Sequence, residues 1–390
     1  MLSSITTILA LAAVARAAPA APAAPSLANV EGSSSFSVPA VHNVNFARNG
    51  TAALLKAYAK FHLEPTKPMS HAFMSALRKR QDGSAPAQDS NSVEYLVPTT
   101  VGGQKLNLDL DTGSADFSSS YTSSKSTTYK ALSGYTWSIQ YADGSGASGV
   151  VGTDTVTIGG TTVKTQAVEL ANRVSSSFVT DTSDGLIGMA FSNINTVSPR
   201  QQSTFFDNAK ASLNSPLFAA YLPYQADGAY DFGYTDSSKY TGAITYAPVS
   251  SANGFWEFAS TSYKVGSTVH SASGFTGIAD TGTTLILMSD AAVDAYYAQV
   301  SGASYSSSEG GYVFPCSAKL PTLSVRIGTT TYATIPASLL NFGVASGSSC
   351  YGSLQSVGGG TQNIYGDVFF NAYYGVFDST GPRFGFATAA

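Results

Sequence analysis

The chain has 390 residues, and only 11% are charged, against about 25% in an ordinary soluble domain. Glycine (37), tyrosine (22) and phenylalanine (21) take their place, a mixture that suits strands and turns better than surface helices. The formal charge of -4 excludes a basic nucleic-acid-binding face. No apolar run approaches the roughly 18 residues of a membrane span, so a soluble β-rich protein is expected.

The first element is an apolar stretch from Ile5 to Ala15, broken by Arg16 and followed by Ala17-Ala18-Pro19. A short apolar run ending in small residues reads as a secretory signal peptide over 1–17, which predicts an extracellular protein. The segment that follows, 18–80, has a different character. Residues 21–80 carry Arg48, Lys56, Lys60, Lys67, Arg78, Lys79 and Arg80 against Glu31 and Glu64, a net +5, whereas 81–390 carries -10. A basic leader on an acidic body favours docking of one on the other. Leu54, Leu55, Tyr58 and Phe61 recur at helical spacing with Lys56 and Lys60 beside them, which predicts a short helix with a basic face. Arg78-Lys79-Arg80 precedes the polar, loop-like Gln81-Asp82-Gly83-Ser84, so cleavage after Arg80 is expected. Asn49-Gly50-Thr51, also in the leader, is the one glycosylation acceptor in the chain.

The body lacks the common catalysts. His42, His62 and His71 lie in the leader, so only His270 remains after its removal. That excludes multi-histidine zinc sites and argues against a Ser-His-Asp triad. Cys316 and Cys350, in a secreted chain, most simply form one disulfide.

Carboxylates remain, and here the sequence repeats itself. Leu108-Asp109-Leu110-Asp111-Thr112-Gly113-Ser114 is echoed 169 residues later by Gly277-Ile278-Ala279-Asp280-Thr281-Gly282-Thr283. Each Asp-Thr-Gly follows a strand-like run and is itself followed by an apolar-apolar-Gly element, Leu186-Ile187-Gly188 or Ile364-Tyr365-Gly366. A glycine after the turn permits close approach of a partner. Backbone N–H groups of Gly113 and Gly282 can donate to the carboxylates, and Thr112 and Thr281 can bond across a lobe interface. Ser114 and Thr283 can hold the outer oxygens. Two carboxylates so placed share one proton, leaving one as general base and the other as general acid.

With these motifs the chain resembles the pepsin-like aspartic proteases, specifically the fungal secreted branch similar to penicillopepsin and aspergillopepsin. The resemblance runs from about Glu94 to the carboxyl end. It includes Tyr141-Ala142-Asp143-Gly144-Ser145, similar to the family's flap tip, with Asp231-Phe232-Gly233 and Gly381-Pro382-Arg383-Phe384-Gly385-Phe386. It implies a mostly β, bilobal fold with a central cleft between pseudo-symmetric lobes, here 81–222 with Asp111 and the flap and 223–390 with Asp280 and the disulfide. Asp111 and Asp280 would activate a water for peptide hydrolysis at acidic pH, with no cofactor and no metal. Tyr141, Asp143 and Gly144 would form the substrate-binding flap, and Asp143 would admit lysine alongside large apolar residues before the cut. The leader would act as intramolecular inhibitor, placing Lys56 or Lys60 at the aspartates. Protein or peptide substrates and pepstatin-type inhibitors are the implied partners of a freely secreted monomer, with no nucleic acid and no membrane.

One departure stands out. After the first Asp-Thr-Gly-Ser the family continues with an apolar run containing a tryptophan that supports the flap tyrosine. Here Asp116-Phe117-Ser118-Ser119-Ser120-Tyr121 follows, and the stretch to the flap is short. A catalytically weak peptide-binding protein is therefore the alternative reading. A glycosidase with a carboxylate pair is the third, and the repeated Asp-Thr-Gly argues against it.

Overall fold

The computed structural model describes residues 30–81, 94–140, 146–174 and 183–390. The signal segment 1–17, the stretch after Gln81 and the tip residues Tyr141, Asp143 and Gly144 lie outside the described residues.

Strands dominate, as the composition predicts. Tyr95–Val101 shows why: Tyr95, Val97, Thr99 and Val101 are buried while Pro98 faces out, the period-two alternation of a half-buried strand. Its hairpin partner Gln104–Asp111 ends at the first Asp-Thr-Gly turn. Long antiparallel strands Lys130–Gln140, Gly146–Ile158 and Thr161–Val174 complete the amino-terminal half, and the first two form the hairpin that carries the flap sequence. A five-stranded sheet in the carboxyl-terminal half holds Thr276–Ala279, which leads to the second turn, and its parallel neighbour Gln362–Tyr365.

An antiparallel layer links the halves. It runs Tyr240–Pro248, Arg383–Ala389, Tyr373–Asp378, Leu217–Tyr221, Gly228–Phe232 and then Phe36–His42. The last of these belongs to the leader. Phe36, Val38 and Ala40 point into the core while Ser37, Pro39 and Val41 face out. His42 and Val41 also pair with Tyr95 and Leu96, so the leader strand bridges the shared layer and the amino-terminal sheet.

The leader continues into α1 (Gly50–Lys60) and α2 (His71–Gln81). Asn49 caps α1 by accepting from the Ala52 N–H at 3.0 Å, and the helix stops at Lys60 with Phe61 as its cap residue. Leu54, Leu55 and Tyr58 are buried as the helical spacing predicts. With Phe73 and Leu77 of α2 they share one core with Ile278, Leu285, Leu287, Phe342 and Tyr351. Burial of five such side chains is worth roughly 1.5–3 kcal/mol each. Attachment of the leader is therefore mainly apolar.

One detail differs from expectation. Gln81 is the last residue of α2 rather than part of a loop, so Arg78, Lys79 and Arg80 are helical. Arginine, lysine and glutamine are strong helix formers, which favours carrying the helix through this run. The short segment after Asp111 is also built into the sheet. Phe117–Ser119 pairs with Gly185–Gly188, and the Tyr121 and Thr128 hydroxyls both donate to Asp154. Cys316 and Cys350 form the expected disulfide.

Candidate active site

Each Asp-Thr-Gly turn emerges from a strand held by a parallel neighbour. Asp111 stands opposite Gly188 across Gln104–Asp111 and Gly185–Gly188. In the other half Ala279 stands opposite Tyr365, and the Asp280 N–H donates to the Tyr365 carbonyl at 3.0 Å. The downstream apolar-apolar-Gly echoes are thus the strands that brace the two turns. A side chain at residue 366 would collide with the Thr283 carbonyl at 2.0 Å, and one at 188 with Ala115 at 2.5 Å. That close approach is why both echoes end in glycine.

The two turns face each other and exchange hydrogen bonds. The Thr112 N–H donates to Thr281 Oγ1 at 3.2 Å, and the Thr281 N–H donates to Thr112 Oγ1 at 2.9 Å. Each hydroxyl then donates to a carbonyl of the opposite half, Thr112 to Ala279 at 2.9 Å and Thr281 to Leu110 at 2.5 Å. Gly113 N–H meets Asp111 Oδ1 at 2.8 Å, and Gly282 N–H meets Asp280 Oδ1 at 3.0 Å. A Cβ on Gly282 would lie 2.2 Å from Asp111 Oδ1, and one on Gly113 would lie 2.5 Å from Asp280 Oδ1. The carboxylates come together because neither glycine has a side chain to keep them apart.

Ser114 and Thr283 stand beside the two carboxylates. Neither buried hydroxyl makes a hydrogen bond within normal geometry. Each nonetheless lies near enough to its carboxylate to lower that group's pKa slightly. A third group also reaches the dyad.

That group is Lys60, at the last position of α1. Its Nζ donates to Asp111 Oδ1 at 2.7 Å and to both Asp280 oxygens at 2.9 Å. Burial alone would lower the Lys60 pKa, but the two carboxylates raise it above the usual lysine value. Burial raises Asp111, yet the charge and hydrogen bond of Lys60 outweigh it and bring the carboxyl down to about 2. For Asp280 the balance is reversed. Burial raises its pKa, Lys60 lowers it, and the charge of Asp111 raises it again, for a net upward shift. Lys56, the other candidate, acts instead on Asp367, a buried acid raised by burial and by the charges of Glu94 and Asp109.

A second buried acid cluster escaped the sequence reading. Asp116 Oδ1 accepts from the Thr196 N–H, the Thr196 hydroxyl and Asn195 Nδ2, at 2.8, 2.9 and 3.0 Å. Asn195 Nδ2 also reaches Glu169 at 3.1 Å and the Ala115 carbonyl at 3.0 Å. The cluster thereby ties the loop after Asp111 to residues 195 and 196. Its only sequence signal is an acid placed five residues after the first aspartate.

Comparison with known proteins shows the family. Residues 94–389 fit the family described as eukaryotic aspartyl protease. Endothiapepsin of Cryphonectria parasitica is 49% identical, covering 92% of this chain and 91% of its own. Penicillopepsin-1 of Penicillium janthinellum is 53% identical over 77% of this chain and 97% of its own. The solved aspartic proteinase of Irpex lacteus superposes with a TM-score of 0.66 at 31% identity, covering 76% of this chain and 95% of that one. The chain belongs to the eukaryotic aspartyl protease family and is a pepsin-like aspartic endopeptidase with the bilobal β fold.

Proposed function

We propose that the protein is made as a secreted zymogen, in which residues 18–80 silence a dyad of Asp111 and Asp280 until acid releases them. The observation that carries this reading is the Lys60 ammonium, within 2.7–2.9 Å of three carboxylate oxygens. It occupies the position a catalytic water needs. Once Lys60 leaves, two buried carboxylates in contact retain one proton between them. The charged member takes a proton from water as it attacks the peptide carbonyl, and the protonated member donates to the carbonyl oxygen. The tetrahedral intermediate then collapses with proton transfer to the leaving nitrogen. No covalent enzyme intermediate forms. Thr112 and Thr281 hold the two turns in register, and Gly113 and Gly282 orient the carboxylates.

The lobes extend over 81–222 and 223–390, and maturation follows cleavage near Arg80. Tyr141, Asp143 and Gly144 close over substrate from the tip of the Lys130–Gln140 and Gly146–Ile158 hairpin. Large apolar residues, and lysine through Asp143, are preferred before the cut. The test is hydrolysis of acid-denatured haemoglobin by leader-free protein across pH 2–7, with and without pepstatin. Acid-dependent cleavage blocked by the inhibitor supports the reading. A folded, leader-free chain without turnover supports the weak peptide-binding alternative instead.

A further inference from the structure

The acceptor sequence Asn49-Gly50-Thr51 occurs at the amino end of α1, and no second Asn-X-Ser/Thr exists among the 390 residues. The folded leader divides its three residues between two sides. Gly50 is buried against the Tyr351 ring, where a Cβ would lie 2.1 Å from a ring carbon. The Thr51 hydroxyl donates to Glu309 Oε2 at 2.6 Å. Asn49 turns the other way and is exposed, with exposed Val44, Asn45 and Ala47 nearby. Its backbone is extended, at φ -107° and ψ 103°. The capping bond uses the amide oxygen, Oδ1, as acceptor from Ala52. Among the described residues the amide nitrogen donates to nothing.

We propose that Asn49 carries an N-linked glycan, and that this glycan belongs to the leader alone and is shed with it. The inference rests on the reading of the chain as a secreted precursor. Transfer takes place on the secretory route from an oligosaccharide linked to a lipid through pyrophosphate. Asn49 Nδ2 bonds to the anomeric carbon, the carbon–oxygen bond to pyrophosphate breaks, and the lipid pyrophosphate leaves with the electron pair. One amide proton passes to base. The product keeps Oδ1 free to cap Ala52, so the modified side chain folds into the same α1 terminus. Solvent receives the sugar, while Gly50 and Thr51 keep their contacts with the body.

The full chain, expressed in a eukaryotic secretory host, is recovered from the medium at neutral pH and treated with a peptide N-glycosidase, which hydrolyses the amide bond between asparagine and glycan. The precursor is expected to shift to lower mass, with Asn49 converted to Asp in the released peptide. Acid-matured protein is expected not to shift. Asn49→Asp keeps a capping oxygen, since Asp and Asn cap about equally well, so the variant is expected to be secreted with its leader attached and not to shift. Glu309→Gln leaves the acceptor sequence intact and is expected to shift like the parent. A secreted precursor of unchanged mass overturns the proposal while leaving the protease reading intact. A shift that survives in Asn49→Asp or in the matured enzyme overturns it as well. A chain retained in the cell and unshifted counts against the proposal and the secretion reading together.

Discussion

The two Asp-Thr-Gly turns share a backbone but not an electrostatic environment. Both exchange threonine bonds, both carboxylates accept from a glycine N–H, and both are braced by a parallel strand. Yet Asp111 falls to about 2 while Asp280 is shifted upward from its ordinary value. Their accessibility is similar and low, so hydration does not separate them. Lys60 touches both, so the ammonium alone does not account for the difference. The remaining difference is coupling: once Lys60 favours ionisation of Asp111, that charge opposes ionisation of Asp280. A symmetric frame thus carries one firmly ionised acid and one reluctant acid.

Replacing either carboxylate should break this pairing most severely. Asp111→Asn and Asp280→Asn are each expected to lower kcat of the leader-free enzyme by at least about 10⁴-fold, with the fold kept by circular dichroism. Equal losses mark a dyad that works as one unit. Gly282→Ala comes next, because its methyl would meet Asp111 Oδ1 at 2.2 Å and force the carboxylates apart. A displacement of about 1 Å costs on the order of 10²-fold in rate. Gly113→Ala is expected to cost somewhat less, its contact being 2.5 Å.

Lys60→Met separates the turns by pH rather than by rate. Asp111 is depressed from 3.8 to about 2 in the folded precursor, so its stabilising share is complete above about pH 4 and is lost as pH falls through about 2. That share is about 2 kcal/mol. Asp280 has the opposite sign: its raised pKa means that protonation favours the folded precursor as pH falls. The variant loses the Asp111 share, so self-activation of its precursor should begin about one pH unit higher or more. Followed as leader release on a gel across pH 2–6, an unchanged profile would count against Lys60 as the latch. Five buried apolar side chains outweigh that charge term, so acid alone is expected to loosen the leader and cleavage to finish its removal.

The smallest effect is expected from Thr112→Val and Thr281→Val. Each leaves a buried N–H and a buried carbonyl without a partner, at about 1–3 kcal/mol. Similar losses of thermal stability would match the symmetry of the frame, and a large disparity would contradict it.

Much of this frame is legible in the sequence because it is local. The repeated Asp-Thr-Gly, its glycines and its downstream echoes each state a backbone requirement within a few residues. The apolar stripe of α1 is equally readable, but the sequence leaves Lys56 and Lys60 equivalent. Only the docking of α1 on Tyr351, Leu285 and Leu287 aims the last residue of the helix at the dyad. Alternation of Phe36, Val38 and Ala40 would have revealed the leader strand, although not that it enters the layer joining the two halves. Asp116, Glu169 and Asn195 are far apart in sequence, and nothing local announces that they meet.

The most direct measurement is turnover of one peptide, at a mildly acidic pH above the onset of leader release, by three proteins: the precursor, the leader-free enzyme, and leader-free Asp111→Asn. The account predicts cleavage by the second alone. Cleavage by the Asn variant, or silence of a folded leader-free enzyme, would contradict it.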